Sequence, residues 1–213
     1  MTRKGVALSI QATKTRIGVE GIIAIVRGEY SLGELLEIAT ALRHGGVTVL
    51  EITLNTPSAL EAIERIRALD DTLLVGAGTV RTLNDAQRAL HAGAQFLVSP
   101  NLDTRVVEHC AQHDVLHLPG VLTPTEAQRA VDAGASLLKL FPADTFGPAY
   151  LKALRAPLSD VDFVPTGGIS QGNLSAYRAA GAFAVAVGNT LTASGEMPIH
   201  ARAGALRDLW TQT

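Results

Sequence analysis

Residues 86–99, AQRALHAGAQFLVS, recur as AQRAVDAGASLLKL over residues 127–140, at an offset of 41 residues. In both copies an alanine-rich stretch ends at a glycine, Gly93 or Gly134, and a short apolar run follows. That order is typical of a helix, a tight turn and a buried strand, because glycine readily takes the left-handed conformation that ends a helix. The repeat therefore predicts helices that alternate with strands.

Two more glycines extend this pattern along the chain. Gly46 stands before the apolar run that begins at Val47, and Gly181 stands before the run at 183–187. The four glycines are separated by 47, 41 and 47 residues, which corresponds to about two strand–helix units per step. Independent turn glycines would not predict such even spacing, so the spacing indicates eight units.

Short apolar runs rich in β-branched residues predict eight strands. The predicted strands cover residues 22–27, 47–54, 73–78, 95–99, 115–118, 136–141, 161–166 and 183–187. Between them lie stretches with helical periodicity, such as Pro57–Leu69 and Pro124–Ala133. These stretches are predicted crossover helices between parallel strands.

Eight strand–helix units predict a closed (β/α)₈ TIM barrel. We expect residues 1–213 to form this barrel as a single domain, with a short N-terminal extension or helix in residues 1–20. An open doubly wound sheet is the alternative, but no G-x-G-x-x-G motif follows the first strand. In a barrel the active site lies at the carboxyl ends of the strands, so the residues there are the candidate site residues.

Composition and charge exclude several classes of protein. Hydrophobic residues make up 47% of the 213 residues and charged residues 18%, which excludes a disordered chain. The net charge of −2 argues against a nucleic-acid partner. A lone cysteine, Cys110, forms no internal disulfide and indicates a reducing compartment such as the cytoplasm. No apolar run approaches the ~20 residues of a membrane span, and the first residues do not resemble a signal peptide.

Lys139 is the most informative single residue, because it interrupts the apolar strand Ser136–Phe141. Burial disfavours an ammonium ion and lowers its pKa, which supplies a neutral amine able to attack a carbonyl and form a Schiff base. Period-two alternation places Lys139 on one face with Leu137 and Phe141, directed into the barrel. The alternative is a structural lysine that is paired with a carboxylate or reaches solvent.

Glu51 is the corresponding carboxylate in the second predicted strand. It shares its face with Val49 and Thr53, while Leu50 and Ile52 lie on the face expected to meet the helices. An inward carboxylate can transfer protons during Schiff-base chemistry. A permanent ion pair with Lys139 is the alternative.

The remaining strand ends predict a polar rim rich in glycine. Thr166-Gly167-Gly168, followed by a predicted helix, offers backbone N–H groups to a phosphate, although an ordinary tight turn fits the same residues. Arg27 ends the first strand and can bind a carboxylate; a solvated rim arginine is the alternative. Four further residues stand at predicted strand ends: Thr79, Pro100, Gly188 and Asn189.

Metal and serine chemistry find little support in the sequence. Only His109 and His113, of six histidines, have an i, i+4 spacing, and no third ligand continues them as in a zinc motif. We interpret this pair as part of an exposed helix face and expect no metal. No G-x-S-x-G motif marks a serine nucleophile.

A set of motifs runs in order from about Gly21 to Leu191. The motifs are LEITL (50–54), GAGTV (76–80), SP (99–100), PGV (119–121), TPTE (123–126), LKLFPA (138–143) and PTGGI (165–169). In these motifs the chain resembles the 2-keto-3-deoxy-6-phosphogluconate (KDPG) aldolases. The resemblance implies a class I aldolase that reversibly splits a phosphorylated keto-deoxy acid into pyruvate and glyceraldehyde 3-phosphate. It also implies a cytoplasmic homotrimer without metal or cofactor.

The resemblance further implies a role for each matching residue. Lys139 corresponds to the Schiff-base lysine and Glu51 to the proton-transfer residue. Thr79 and Pro100 correspond to residues of the pyruvate pocket, and Phe141 to the residue beside the imine. The hydroxyl and phosphate end of the substrate corresponds to Thr166, Gly167, Gly168 and Gly188.

Several positions depart from the commoner family pattern and concern the substrate epimer. Asn55 stands where many members have arginine, and Arg27 instead resembles the branch that acts on the 6-phosphogalactonate epimer. Asn189 stands where many have serine at the phosphate, whereas Pro165-Thr166 is similar to the gluconate enzymes. We expect cleavage of both epimers, with the gluconate form modestly preferred. A phosphosugar isomerase or epimerase, and a barrel that only binds a phosphorylated ligand, are the alternatives in other functional classes.

Overall fold

Short parallel strands alternate with helices along residues 8–193 and 195–212, the part of the chain that the computed structural model describes. The strands are β1 (Ile22–Val26), β2 (Val49–Thr53), β3 (Leu74–Gly78), β4 (Phe96–Val98), β5 (Leu116–Leu118), β6 (Gly120–Val121), β7 (Leu138–Leu140), β8 (Phe163–Pro165) and β9 (Val185–Val187). The helices are α1 (Ile10–Glu20), α2 (Leu32–His44), α3 (Ala59–Leu69), α4 (Leu83–His91), α5 (Thr104–Gln112), α6 (Pro124–Asp132), α7 (Gly147–Arg155), α8 (Leu174–Ala179), α9 (Asn189–Thr192) and α10 (Ile199–Gln212).

The strands form two parallel sheets that meet at their edges. Six strands pair in the order β5-β4-β3-β2-β1-β9, and three pair in the order β6-β7-β8. Only Pro119 separates β5 from β6, and an isolated bridge pairs Thr166, just after β8, with Ala186 in β9. The predicted α/β architecture with parallel strands and crossover helices is therefore confirmed.

Two predicted elements differ in detail from the structure. The predicted fifth strand, residues 115–118, is observed as β5, but the prediction missed the short strand β6 beyond Pro119, which lacks an N–H for a continuous ladder. The helix predicted from Pro57 begins instead at Ala59, because Ser58 takes a left-handed φ of 57°. By contrast, the helix predicted over 124–133 occupies Pro124–Asp132, with Ala133 as its C-cap.

The glycines of the sequence repeat take the predicted backbone conformation. Gly46, Gly93, Gly134 and Gly181 have φ values of 79°, 92°, 106° and 93°. Each follows a helix and precedes the next strand, which confirms the helix-ending role. The offset of 41 residues also relates two capping boxes, in which Thr82 pairs with Asp85 and Thr123 with Glu126.

Strand side chains alternate between two buried clusters. One cluster contains Val49 of β2, Val98 of β4 and Leu137, and we call it the inner cluster. Leu50 and Leu138, one residue further along, belong to a larger outer cluster shared with the helices. The sequence-based assignment of inward and outward faces is therefore correct for β2, which holds Glu51, and for β7, which holds Lys139.

Helix α1 closes the inner cluster on one side. Its Ile17 belongs to that cluster, and the helix ends at the C-cap Gly21, which has a φ of 73°. Because Gly21 has no side chain, Trp210 can lie against it. This helix agrees with the N-terminal helix expected in residues 1–20; residues 1–7 lie outside the described residues. None of the described helices combines the length and the apolar character needed to cross a bilayer.

Candidate active site

Lys139 and Glu51 approach the inner cluster from different sheets. Lys139 lies in β7 and is 7% exposed, whereas Glu51 lies in β2 and is 1% exposed. Over residues 8–193 and 195–212 neither side chain forms a salt bridge within 4.0 Å. The amine of Lys139 is therefore not held in a direct ion pair with Glu51.

Burial displaces the pKa of both groups toward their neutral forms. Desolvation lowers the pKa of Lys139; the charge of Glu51 acts against this shift, and that of Arg27 adds to it. Desolvation raises the pKa of Glu51, against the opposing charges of Lys139 and Arg27. The charge of each group therefore shifts the pKa of the other. A buried lysine with a lowered pKa supplies the nucleophilic amine that Schiff-base chemistry requires.

The missing side chain of Gly78 on β3 leaves room for the Glu51 carboxylate, because a Cβ there would lie 2.8 Å from Glu51 Oε1. Gly76, the register partner of Glu51, instead leaves room for the Phe96 ring. Oε2 is buried and has no hydrogen-bond partner among the described residues. An unpaired buried acceptor is costly, so this oxygen is free to bind a water molecule or a substrate hydroxyl.

Phe141, whose ring lies near the Lys139 amine, and Pro100 border a cavity whose described lining residues include neither Lys139 nor Glu51. The Lys139 Nζ lies 4.9 Å from the centroid of the Phe141 ring. Gly120, the register neighbour of Lys139, has no side chain and lets the Pro100 backbone cross it, where a Cβ would overlap the Pro100 carbonyl. The cavity has a volume of about 320 Å³. Its lining residues are Pro100, Asn101, Leu102, Gly120, Val121, Leu122, Glu126, Arg129 and Phe141.

Thr79 follows β3 with a left-handed φ of 57°. Residues other than glycine rarely take this conformation, and backbone strain of this kind clusters at functional sites. Thr79 is half-buried and strained, so the predicted role in the pocket fits it better than a role as an ordinary loop residue.

The glycine-rich end of the site differs from the prediction. Gly167 and Gly168 have left-handed φ values of 99° and 66°, but the helix expected next begins only at Leu174. The Asp144 side chain lies against Gly168, where a Cβ would overlap it, and no sequence pattern predicts that contact. A hydrogen bond of 2.8 Å from the Thr190 hydroxyl to the Ile169 carbonyl connects this loop to the α9 segment.

The other predicted residues of that end lie on neighbouring strands. Thr166 is buried and its hydroxyl donates to the Val164 carbonyl at 3.2 Å. Gly188 immediately precedes α9, and Asn189 is exposed at the first position of that helix. The bridge between Thr166 and Ala186 brings these two strand ends together.

Arg27 and Asn55 occupy different environments after adjacent strands. Arg27 is exposed, and its positive charge lowers the pKa of both Glu51 and Lys139. Asn55 is exposed in the turn after β2. Of these two positions, Arg27 is the one whose charge affects the pKa of Glu51 and Lys139.

Sequence reasoning missed two hydroxyl networks. Thr53 Oγ1 and Thr56 Oγ1 lie 3.0 Å apart, and the Gly28 N–H donates to Thr56 at 3.4 Å, which connects the Arg27 segment to β2. Alternation already places Thr53 on the Glu51 face, but no pattern identifies Thr56. The second network joins Ser99 to His117 at 2.7 Å.

No group of three or more metal-binding side chains occurs within the described ranges. The His109 and His113 rings are in contact, tilted by 43° with centroids 4.2 Å apart, and His113 Nδ1 lies 2.8 Å from the His109 carbonyl. His113 is exposed and His109 half-buried, in accord with a helix-face pair.

Comparison with known proteins gives concordant matches. The KDPG and KHG aldolase family profile matches residues 14–201. The 2-dehydro-3-deoxy-phosphogluconate aldolase of Treponema pallidum is 44% identical over 165 residues, 77% of either chain. The 2-dehydro-3-deoxy-6-phosphogalactonate aldolase of Escherichia coli is 36% identical over 177 residues, covering 82% of this chain and 86% of its own.

A solved structure agrees with the sequence matches. KDPG aldolase from Legionella pneumophila, with pyruvate captured as a covalent carbinolamine intermediate, superposes with a TM-score of 0.79. The two chains are 29% identical, and the match covers 92% of this chain and 95% of the other. By profile, identity and fold, the chain belongs to the KDPG and KHG aldolase family.

Proposed function

We propose that this protein is a class I aldolase that reversibly cleaves 2-keto-3-deoxy-6-phosphogluconate into pyruvate and glyceraldehyde 3-phosphate. The observation that carries the proposal is the buried amine of Lys139, whose pKa is lowered and which is free of any salt bridge among the described residues. The captured pyruvate adduct of the Legionella enzyme is the kind of intermediate such an amine would form.

In the proposed mechanism the Lys139 amine attacks the C2 carbonyl to give a carbinolamine, which loses water to form a protonated imine. The imine withdraws the electron pair of the C3–C4 bond, while Glu51 accepts the proton of the C4 hydroxyl. Cleavage releases the aldehyde and leaves a neutral enamine. Glu51 returns a proton to C3, and water hydrolyses the imine to pyruvate and the free amine.

Substrate binding follows from the arrangement of the strand ends. Arg27 would bind the pyruvyl carboxylate by charge-assisted hydrogen bonds, and Thr79, Pro100 and Phe141 would enclose the pyruvyl carbons. The hydroxyl groups and the phosphate would lie toward the other end of the site, at Thr166, Gly167, Gly168, Gly188 and Asn189. Binding at both ends would orient the bond that breaks.

The C4 epimer is the open choice within this proposal. We expect both epimers to be cleaved, with the gluconate form modestly preferred, because one hydrogen bond discriminates by about tenfold to a few hundredfold. Relatives named for each epimer, at 44% and 36% identity, agree with this expectation. Measuring kcat/KM for the two epimers side by side tests it. A preference for the galactonate form would overturn the epimer assignment, and cleavage of neither would overturn the function.

We also propose that the two sheets close as one eight-stranded barrel, with β5 and β6 acting as a single strand. The edge bridge at Thr166 and a hydrogen bond of 3.0 Å from the Phe183 N–H to the Phe163 carbonyl support closure. The family resemblance supports a single domain and a cytoplasmic homotrimer. Light scattering on the purified protein should give three times the mass of one chain, and a monomer mass would overturn the trimer.

The proposed reaction needs no metal, because the imine itself withdraws the electrons of the breaking bond. Activity should remain unchanged after dialysis against a chelator. Loss of activity that a divalent ion restores would contradict this part of the proposal.

A further inference from the structure

Ser99, at the carboxyl end of β4, connects the ends of three adjacent strands. Its hydroxyl is buried and bonds both to the Val80 carbonyl, just beyond β3, and to His117 Nε2 in β5. The distance between Ser99 Oγ and His117 Nε2 is 2.7 Å. His117 itself is 4% exposed.

The chemistry of these groups fixes where the protons lie. A carbonyl only accepts hydrogen bonds, so the Ser99 proton points to Val80 and the imidazole must donate from Nε2. Nδ1 then carries the lone pair, and it is buried with no hydrogen-bond partner within residues 8–193 and 195–212. Burial lowers the pKa of His117 to about 3, against the opposing charge of Asp103, so the ring is neutral at physiological pH.

This geometry is unsuited to nucleophilic catalysis by Ser99. A serine nucleophile needs a base that accepts its proton, whereas here the imidazole donates and the serine proton is engaged by the Val80 carbonyl. The network instead supports two adjacent pocket residues. Thr79 precedes Val80 and has a strained φ of 57°, and Pro100 directly follows Ser99.

Backbone hydrogen bonds fix the N–H groups of Val80 and Ser99, but the Val80 carbonyl depends on a side chain. The Val80 N–H donates to the Val98 carbonyl at 3.1 Å, and the Ser99 N–H donates to the Leu118 carbonyl at 3.0 Å. The Val80 carbonyl is fixed by the Ser99 hydroxyl, which in turn is oriented by His117. A left-handed threonine persists only where its surroundings over-determine it.

We propose that His117 is a positioning residue, which acts through the Ser99 hydroxyl to hold Thr79 and Pro100 in place around bound pyruvate. The inference rests on the proposed aldolase function. It assigns a role to a histidine that contacts neither substrate nor Lys139.

Borohydride trapping with pyruvate tests this role. The quantity measured is the pyruvate concentration that gives half-maximal labelling of Lys139. His117→Leu removes the donor, and we expect the half-maximal concentration to rise about threefold to tenfold, as for loss of one buried hydrogen bond. Labelling at saturating pyruvate should stay complete. Ser99→Ala should have the same effect, and His117→Gln, which keeps an N–H donor, should restore most of the affinity.

Val107→Ala is the matched control for a purely structural effect. Val107 is buried in α5 and borders the same small cavity as His117, but it takes no part in the network. We expect a lower melting temperature with an unchanged half-maximal concentration.

If the wild type is labelled but His117→Leu and Ser99→Ala keep wild-type half-maximal values, or Val107→Ala shifts equally, the positioning role is overturned and the aldolase function stands. If His117→Leu does not fold, Ser99→Ala decides. A wild type that pyruvate and borohydride do not label overturns both proposals.

Discussion

Lys139 and Glu51 are both buried, and each has its pKa displaced toward the neutral form by desolvation. A charged group buried without a close partner is costly, so such residues persist mainly where function requires them. In the part of the chain that the structure describes, burial and register supply what the proposed chemistry needs: an amine on β7 without a salt bridge and a carboxylate on β2 with one oxygen free of hydrogen bonds.

The electrostatic coupling predicts opposite pH shifts in two variants. Glu51 raises the pKa of Lys139, so Glu51→Gln should lower it further and move the acid limb of imine formation to lower pH. Arg27 lowers the pKa of Lys139, so Arg27→Ala should move that limb to higher pH. The measurement is the initial rate of borohydride trapping at saturating pyruvate, followed against pH. Shifts in the same direction would contradict the coupling.

Arg27 and Asn55 can be separated by substrate affinity. If Arg27 binds the pyruvyl carboxylate, Arg27→Ala should raise KM by about tenfold or more, because hydrogen bonds to charged groups are worth roughly 1.5–3 kcal/mol. Asn55→Ala should change KM by less than about twofold. Steady-state kinetics on the two variants compares the positions directly, and a larger effect at Asn55 would reverse the assignment.

At the level of elements, much of the fold could be predicted because its signals are local. Alternating apolar residues and helix-ending glycines identify the strands, and they correctly orient Glu51 and Lys139. The missed features depend on distant residues or single dihedral angles. Examples are the break at Pro119, the late start of α8 at Leu174 and the contact between Asp144 and Gly168.

Gly93, one of the repeat glycines, gives a stability prediction for which Gly33 is the control. Gly93 has a φ of 92° and open space around it, so Gly93→Ala should destabilise the protein by about 1–2 kcal/mol through backbone strain alone. Gly33 lies in α2, also in open space but without a positive φ, so Gly33→Ala should stabilise by about 0.5–1 kcal/mol. Urea unfolding of both variants measures the two signs. Equal effects would show that φ does not decide the outcome.

At the scale of the whole molecule, the site lies where two parallel sheets face a shared interior. Lys139 comes from the three-stranded sheet and Glu51 from the six-stranded sheet, 88 residues apart in the sequence. Their faces could be predicted from alternation, but the missing salt bridge and the Ser99–His117 hydrogen bond could not. Those features depend on how both sheets and α5 pack together, which no single stretch of sequence encodes.

The most direct test of the account is to treat the protein with pyruvate and borohydride and to identify the modified lysine by peptide mapping. We expect loss of activity and one stable adduct, on Lys139, because its buried amine has a lowered pKa. Lys152, exposed in α7, should remain unmodified. Lys139→Met should abolish both labelling and cleavage. An adduct on Lys152, or on no lysine at all, would contradict the assignment of Lys139 as the Schiff-base residue.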